Sequence, residues 1–315
     1  MKQTPRDGLL LIVIASAGYA MFPIFTKTLL DTKQFEPLDI LILRFLLATP
    51  ITWLVMFFRN RTVSNVGEGL RPSPTKPLPR IRLLGMGVIF VMTSASAFFT
   101  LQRLPASTYT VILYSYPAMV AIISWLLGER LAGRAWLALA LTLAGIILTV
   151  PDFGGGLGDL TGLLLGLSNA GFYAAYIVLS GRLLKGHTDL AGASAWSITG
   201  SFLLLVSLAL VRGVAWPADL ATWARLFGLA IFSTVIPIFA FYAGMQKLGA
   251  ARAAILSTIE PLFTLGLAYL LLNERIEPVQ LFGGALILVS VILLQTGRGE
   301  PENTLAAEPQ VSTSP

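Results

Sequence analysis

A carboxylate in the middle of an oily helix is the first residue of this sequence that calls for chemistry. Glu260 lies at the centre of the apolar run 252–272, followed at once by Pro261. A central acid costs about 2.5 to 3.5 kcal/mol to insert into a bilayer. It must therefore be protonated, or be faced by a cation or by hydrogen-bond donors inside a bundle. Pro261 lacks a backbone donor, which leaves a nearby carbonyl free to accept bonds. Ser257 and Thr264, at i−3 and i+4, share the Glu260 face. Such a group can bind an ammonium or carry a proton; the plainer alternative is an internal polar lock that shapes the helix. Arg44 lies about a turn and a half inside the run 38–58. A structural or gating charge is its first reading, with Asp39 or Glu260 as partner, and carboxylate binding is the second. Asn169, Tyr173 and Tyr176 follow one another at i, i+4 and i+7. Together with Tyr19, Phe22, Tyr114, Tyr116, Trp196 and Tyr242 they could line an aromatic cavity with a few polar tips.

Other chemistries have no residues to carry them. The chain has no Cys, so disulfides, thiolate metal sites and cysteine nucleophiles are excluded. Its one His, His187, stands beside basic residues at a helix end, which speaks against zinc and against serine–histidine catalysis. No catalytic residue, metal or cofactor is expected, and an intramembrane enzyme is a remote alternative. A receptor would need no internal repeat of the kind described below.

The elements that hold these residues are membrane helices. Only 12% of the 315 residues are charged and 55% are hydrophobic, with a mean hydropathy of +0.77. A soluble domain carries about a quarter charged residues, so a water-facing globule is ruled out. Ten apolar segments stand at about 8–29, 38–58, 83–102, 107–127, 134–150, 160–181, 190–211, 225–246, 252–272 and 279–295. Most have the length that crosses about 30 Å of hydrocarbon, and they lack the alternation of barrel strands. Ala15-Ser16-Ala17 resembles a signal-cleavage site, but the apolar run continues through Phe25, as an uncleaved helix does.

Fifteen of the 22 Lys and Arg residues fall on one side if the N-terminus is cytoplasmic, six on the other, and Arg44 within a span. The expectation is a multi-pass protein of the cytoplasmic membrane with both termini inside. The same bias explains the pI near 9.7, and nucleic acid is not expected as a partner. Residues 1–7 form a cytoplasmic N-terminus, 59–82 a basic Pro-rich cytoplasmic loop, 151–159 an external linker and 296–315 a polar tail expected to be disordered.

The chain is also written twice. Gln102-Arg103-Leu104 matches Gln246-Lys247-Leu248, Pro117 matches Pro261, and Glu129-Arg130 matches Glu274-Arg275 after one inserted residue. Gly8-Leu9-Leu10-Leu11 matches Gly162-Leu163-Leu164-Leu165, and Tyr19-Ala20 matches Tyr173-Ala174. Each unit, 8–150 and 160–295, holds five spans. An odd number turns the second copy upside down, which is a transporter signature with the site between the halves. The Glu-Arg pairs then fall on opposite faces, as helix-end caps or gate contacts. Pro23, Pro117, Pro237 and Pro261 stand near mid-span as candidate hinges. The stripe Gly162, Gly166, Ala170, Ala174 permits close helix approach.

These features resemble the EamA-type members of the drug/metabolite transporter superfamily. The resemblance is carried by Arg44-Phe45-Leu46-Leu47-Ala48, by Pro117 through Glu129-Arg130, by Glu260-Pro261 through Glu274-Arg275, and by Gly283-Gly284-Ala285-Leu286. Gly18-Tyr19 stands where the family usually has Trp-Gly. The resemblance implies an all-α fold of ten helices, as two inverted five-helix repeats, around a cavity lined mainly by spans 1, 3, 4, 6, 8 and 9. It implies alternating-access transport of a small solute, an amino acid or related metabolite first, with export as the expected direction. A multidrug or organic-cation carrier, proton-coupled through Glu260, is the alternative. The lipid bilayer and the solute are the expected partners, with protons and a second copy of the chain as further candidates.

Overall fold

The computed structural model describes residues 5–64, 77–128, 133–149, 159–184, 187, 189–248, 253 and 256–296. Every regular element among them is a helix. In order these are α1 (Pro5–Leu30), α2 (Pro37–Ser64), α3 (Arg80–Arg103), α4 (Ala106–Leu113), α5 (Tyr116–Leu126), α6 (Gly133–Thr149), α7 (Leu160–Leu183) and α8 (Leu190–Arg212). They continue as α9 (Leu220–Ala230), a π turn (Ile231–Val235), α10 (Ile236–Leu248), α11 (Glu260–Leu272) and α12 (Pro278–Thr296). Among the described residues seven stretches are long and apolar enough to cross a membrane, counting α4–α5 and α9–α10 as one each. The expected fifth, ninth and tenth spans are represented by shorter apolar helices, α6, α11 and α12.

The boundaries follow local chemistry. Asp159, Asp189 and Asp219 each cap a helix, accepting from Gly162 N at 2.8 Å, Gly192 N at 3.0 Å and Thr222 N at 2.8 Å. The Thr222 hydroxyl and amide hold the Asp219 carboxyl below its ordinary range, and the Gly162 amide, with Arg103, does the same for Asp159. The expected loop 59–82 is narrower than the charge pattern suggested. α2 runs on to Ser64 and α3 starts at Arg80, because nothing between Arg59 and Ser64 breaks a helix. Arg59 pairs there with Asp189 at 2.9 Å.

Three prolines mark interruptions. Span 4 breaks at Tyr114-Ser115, just before Pro117, and α11 begins with Glu260-Pro261 after a turn at Thr258-Ile259. Span 8 widens into the π turn, where Ile236 N–H reaches back five residues to Ile231 O, one residue before Pro237. Pro23, by contrast, lies inside a continuous α1.

The principal core joins α1, α2, α3, α8 and α9 around Phe45, Phe98, Leu29 and Leu226, all fully buried. Gly18 lets α1 lie against span 8. A Cβ there would come within 2.4 Å of Pro237 Cγ and 2.6 Å of the Phe232 carbonyl. Gly8 meets Leu248 and Lys247, while its repeat mate Gly162 meets Leu104 and Arg103, the matched pair of the other half. Large apolar side chains such as Leu54, Leu210, Val211 and Leu270 point outward, as surfaces against lipid do.

Candidate solute-binding cavity

The interruptions in spans 4 and 9 meet at one hydroxyl. Pro261 has no N–H for the Ser257 carbonyl four residues earlier, and Tyr114 OH lies 3.2 Å from that oxygen. The same hydroxyl lies 3.0 Å from Glu260 Oε2. Tyr114, Ser257 and Glu260 are thus brought together, two from the second half of the chain and one from the first. Among the described residues no Lys or Arg lies within ion-pair distance of Glu260.

These groups line a cavity of about 280 Å³. Seven of the eight tyrosines of the chain face it: Tyr19, Tyr109, Tyr114, Tyr116, Tyr173, Tyr176 and Tyr242. Tyr116 stands edge-on to Tyr173 with ring centres 4.8 Å apart, and Tyr176 stacks on Phe90 at 5.4 Å. Tyr242 shares a 2.8 Å hydrogen bond with Ser194. Asn169, almost completely buried, donates to the Thr93 carbonyl and the Ser96 hydroxyl and lies 3.4 Å from Tyr109 OH. Its amide therefore fixes α7 to α3 as well as edging the cavity.

Arg44 also lines this cavity. Asp39 is not its partner: that carboxylate takes Arg212 Nη1 at 2.8 Å, with Glu36 on the other arm of Arg212. Arg44 Nε instead donates to Thr234 Oγ1 at 2.9 Å, in the π turn of span 8. Its guanidinium lies 4.7 Å over the Phe22 ring.

Trp196 departs from expectation. It is absent from the cavity wall and stacks edge-on against Trp53 at 5.3 Å, with the Arg80 guanidinium 5.3 Å over its ring. Its place on α8 puts it toward the neighbouring helix and a helix end. Glu274 is a cap. Its Oε1 accepts from Ala106 N at 2.7 Å, and its Oε2 from Ser107 N at 3.0 Å and Ser107 Oγ at 2.6 Å. Arg275 is exposed, and Glu129 and Arg130 lie outside the described residues. Pro117, Pro237 and Pro261 each open a helical segment next to the cavity, and Pro23 does not.

Two lining residues had weak or no signals in the sequence. Tyr109 stands seven residues before Tyr116, a same-face spacing that could have found it. Thr234 owes its role to the π turn, which no residue pattern announces.

Residues 6–150 and 160–296 each match the EamA-like transporter family. The chain belongs to that family. It is 33% identical over 216 residues to an uncharacterized transporter of Archaeoglobus fulgidus, covering 68% of this chain and 76% of the relative. It is 24% identical to the uncharacterized transporter YcbK of Bacillus subtilis, over 88% of each chain. It is 22% identical to the uncharacterized inner membrane transporter YedA of Escherichia coli, over 91% of this chain and 92% of that one. A solved crystal structure shares the fold with a TM-score of 0.60 at 16% identity, covering 91% of this chain and 96% of its own. As an EamA-like protein the chain is a multi-pass membrane transporter, and its matches fall in two copies of the family domain.

Proposed function

We propose that this EamA-like protein is a secondary transporter that moves a small organic metabolite, an amino acid or a related compound, across the cytoplasmic membrane by alternating access. The observation that carries the reading is the cavity itself. Its wall is drawn from both repeats, α1 to α5 from the first and α7, α8, span 8 and α11 from the second, and it holds a carboxylate at the point where both are interrupted.

The proposed architecture has ten spans in two inverted halves. The paired contacts Gly8–Leu248 and Gly162–Leu104 support it. The same motif residues meet in both, with the two halves exchanging roles, as a two-fold axis in the membrane plane requires. The charge bias supports cytoplasmic termini. In that orientation Glu274 on α4, Arg212 with Glu36 and Asp39, and Arg103 with Asp159 at 3.0 Å tie helices together at the outer end. Net export is the proposed direction. A second reading, organic-cation efflux coupled to protons through Glu260, is favoured by the absence of a cation beside that carboxylate among the described residues.

Counterflow in proteoliposomes tests the proposal. Vesicles loaded in turn with L-amino acids, nucleosides and organic cations should accumulate the matching labelled solute for one class. If none is exchanged faster than by empty vesicles, the reading fails.

A further inference from the structure

We infer that Arg44 is a carboxylate-binding pole of the central cavity and that, with Glu260 as the opposite pole, the cavity takes a zwitterion bearing one carboxylate and one ammonium. The inference rests on the reading of this cavity as the transported solute's site, and it narrows that solute's chemistry.

Arg44 is only 7% exposed, yet no carboxylate stands within ion-pair distance of it among the described residues. Asp39, five residues earlier in its own helix, is committed to Arg212. A buried guanidinium left without an anion is costly, by several kcal/mol in a low-dielectric interior. The fold nevertheless builds a mount for it. Thr234 Oγ1 accepts from Nε while donating to the Leu229 carbonyl at 3.0 Å, five residues back along the π turn. Phe22 lies under the guanidinium plane. Nε is thereby tied down, and Nη1 and Nη2 have no hydrogen-bond partner among the described residues. Those two N–H edges form the fork that meets a carboxylate with two parallel bonds.

Glu260 completes the pair. It too lacks an opposite charge among the described residues, and its neighbours are tyrosines whose ring faces attract an ammonium. Counting along the helices, Arg44 lies seven residues from the start of α2, and Glu260 lies twelve residues from the end of α11 at the same end of the bundle. At 1.5 Å per residue the two Cα positions differ in depth by about 8 Å, which two inward-reaching side chains and a small solute can bridge. Arg44 brings +1, and an ammonium placed beside Glu260 favours its ionised form, so a site occupied by a zwitterion is neutral and an ion of either single sign leaves one pole unmatched.

The test uses the purified full chain in detergent and aromatic and aliphatic L-amino acids as probes. Each is compared with its methyl ester, which lacks the carboxylate, and its N-acetyl derivative, which lacks the ammonium. Binding is read by thermal shift and by equilibrium dialysis. For at least one amino acid the wild type should prefer the free form over both derivatives by about 10- to 100-fold, the range for a charge-assisted contact. R44Q should bring the acid-to-ester ratio to near 1, and E260Q the ratio of free to acetylated amine. Thr234→Val leaves the charge in place and removes only its mount, and should lower the acid-to-ester ratio by about 3- to 10-fold. If R44Q does not fold, the wild-type ratio and Thr234→Val decide. Equal binding of acid and ester by the wild type, or a ratio that survives in R44Q, overturns the inference. So does a wild type that binds none of the probes. Counterflow of an organic cation by that same preparation would then leave the transporter reading standing, which separates the two failures.

Discussion

In the proposed transport cycle, opening the end of the bundle where α4 begins would require Glu274 to let go of it. α4 starts after Pro105, and no side chain of its own first turn caps it. Its free amides at Ala106 and Ser107 are served by a carboxylate from the other half of the chain. The local geometry is set by Asn273, whose left-handed backbone (φ 53°) ends α11 and turns Glu274 toward α4. Gly128 holds the corresponding left-handed place in the first repeat, at φ 93°. An E274A substitution removes three hydrogen bonds to a charged acceptor. In the opened state the amides and the carboxylate would be hydrated, so the net loss is about 1.5 to 3 kcal/mol and not the gross sum. At 1.4 kcal/mol per factor of ten, the ratio of open to closed should rise about 10- to 150-fold. The chain lacks Cys, so a single reporter can be placed cleanly at Leu113, on the cavity wall. With a membrane-impermeant maleimide added outside intact cells, L113C labelling should accelerate at least tenfold in the E274A background. E274Q, which keeps a neutral acceptor, should fall between. An unchanged labelling rate in E274A would refute the idea that this cap holds the outer end closed.

E260Q should abolish solute flux while leaving the unfolding temperature within a few degrees of wild type; full flux in E260Q would end the case for a working carboxylate. Single Cys residues near 70 and near 156 should be labelled from opposite faces of the membrane, and labelling from the same face would break the proposed topology. Gly18→Val should overpack the α1–span 8 contact by about 1 to 3 kcal/mol, because its Cβ would fall 2.4 Å from Pro237 Cγ; a detergent melting curve that does not shift would contradict the packing. The Asp219 and Asp159 caps have folded-state pKa values below the unfolded ones. Their contribution is therefore present above the ordinary carboxylate range and is lost as pH falls through the folded values. D219N should thus lower the melting temperature at neutral pH, with the gap from wild type closing as the medium is acidified toward the folded value.

Much of the scaffold was legible because the bilayer leaves few alternatives. An apolar run of some twenty residues can only be a helix there, and the repeat surfaced because Pro117/Pro261 and Gln102/Gln246 keep one offset over a long stretch. Glu260 stood out by the same cost argument, and Tyr19, Asn169, Tyr114, Tyr116, Tyr173 and Tyr242 were found on the cavity wall. The failures share a cause. Trp196 is grouped with the lining aromatics by residue type, and Asp39 is offered to Arg44 by its place in the same helix, but a side chain's partner depends on which helix lies next to it. That neighbour is set by close approaches such as Gly18 on Pro237, which one chain's periodicity does not encode. α2 runs past the start expected for the 59–82 loop because Arg59, Asn60 and Arg61 read as water-facing residues, whereas charge does not stop a helix that lacks Gly and Pro.

The 144-residue offset that joins Pro117 to Pro261 also sets Tyr116 against Glu260 and Leu113 against Ser257. The scaffold is repeated, but the chemistry at corresponding positions is not: one half offers a phenol where the other offers an acid. That division suits a carrier. If two inverted copies are to exchange packings, their conformations must lie within a few kcal/mol, and near-identical backbones supply this. A solute with a head and a tail, however, needs unlike groups to meet it. Had both copies carried the acid, two carboxylates would share one small cavity, and their mutual repulsion would oppose ionisation of the pair. Installing Glu at Tyr116 should therefore weaken binding of any carboxylate-bearing solute, while Tyr at 260 should cost the ammonium its partner. The asymmetry is confined to side chains around the cavity, where it can tune the solute without unbalancing the two packings.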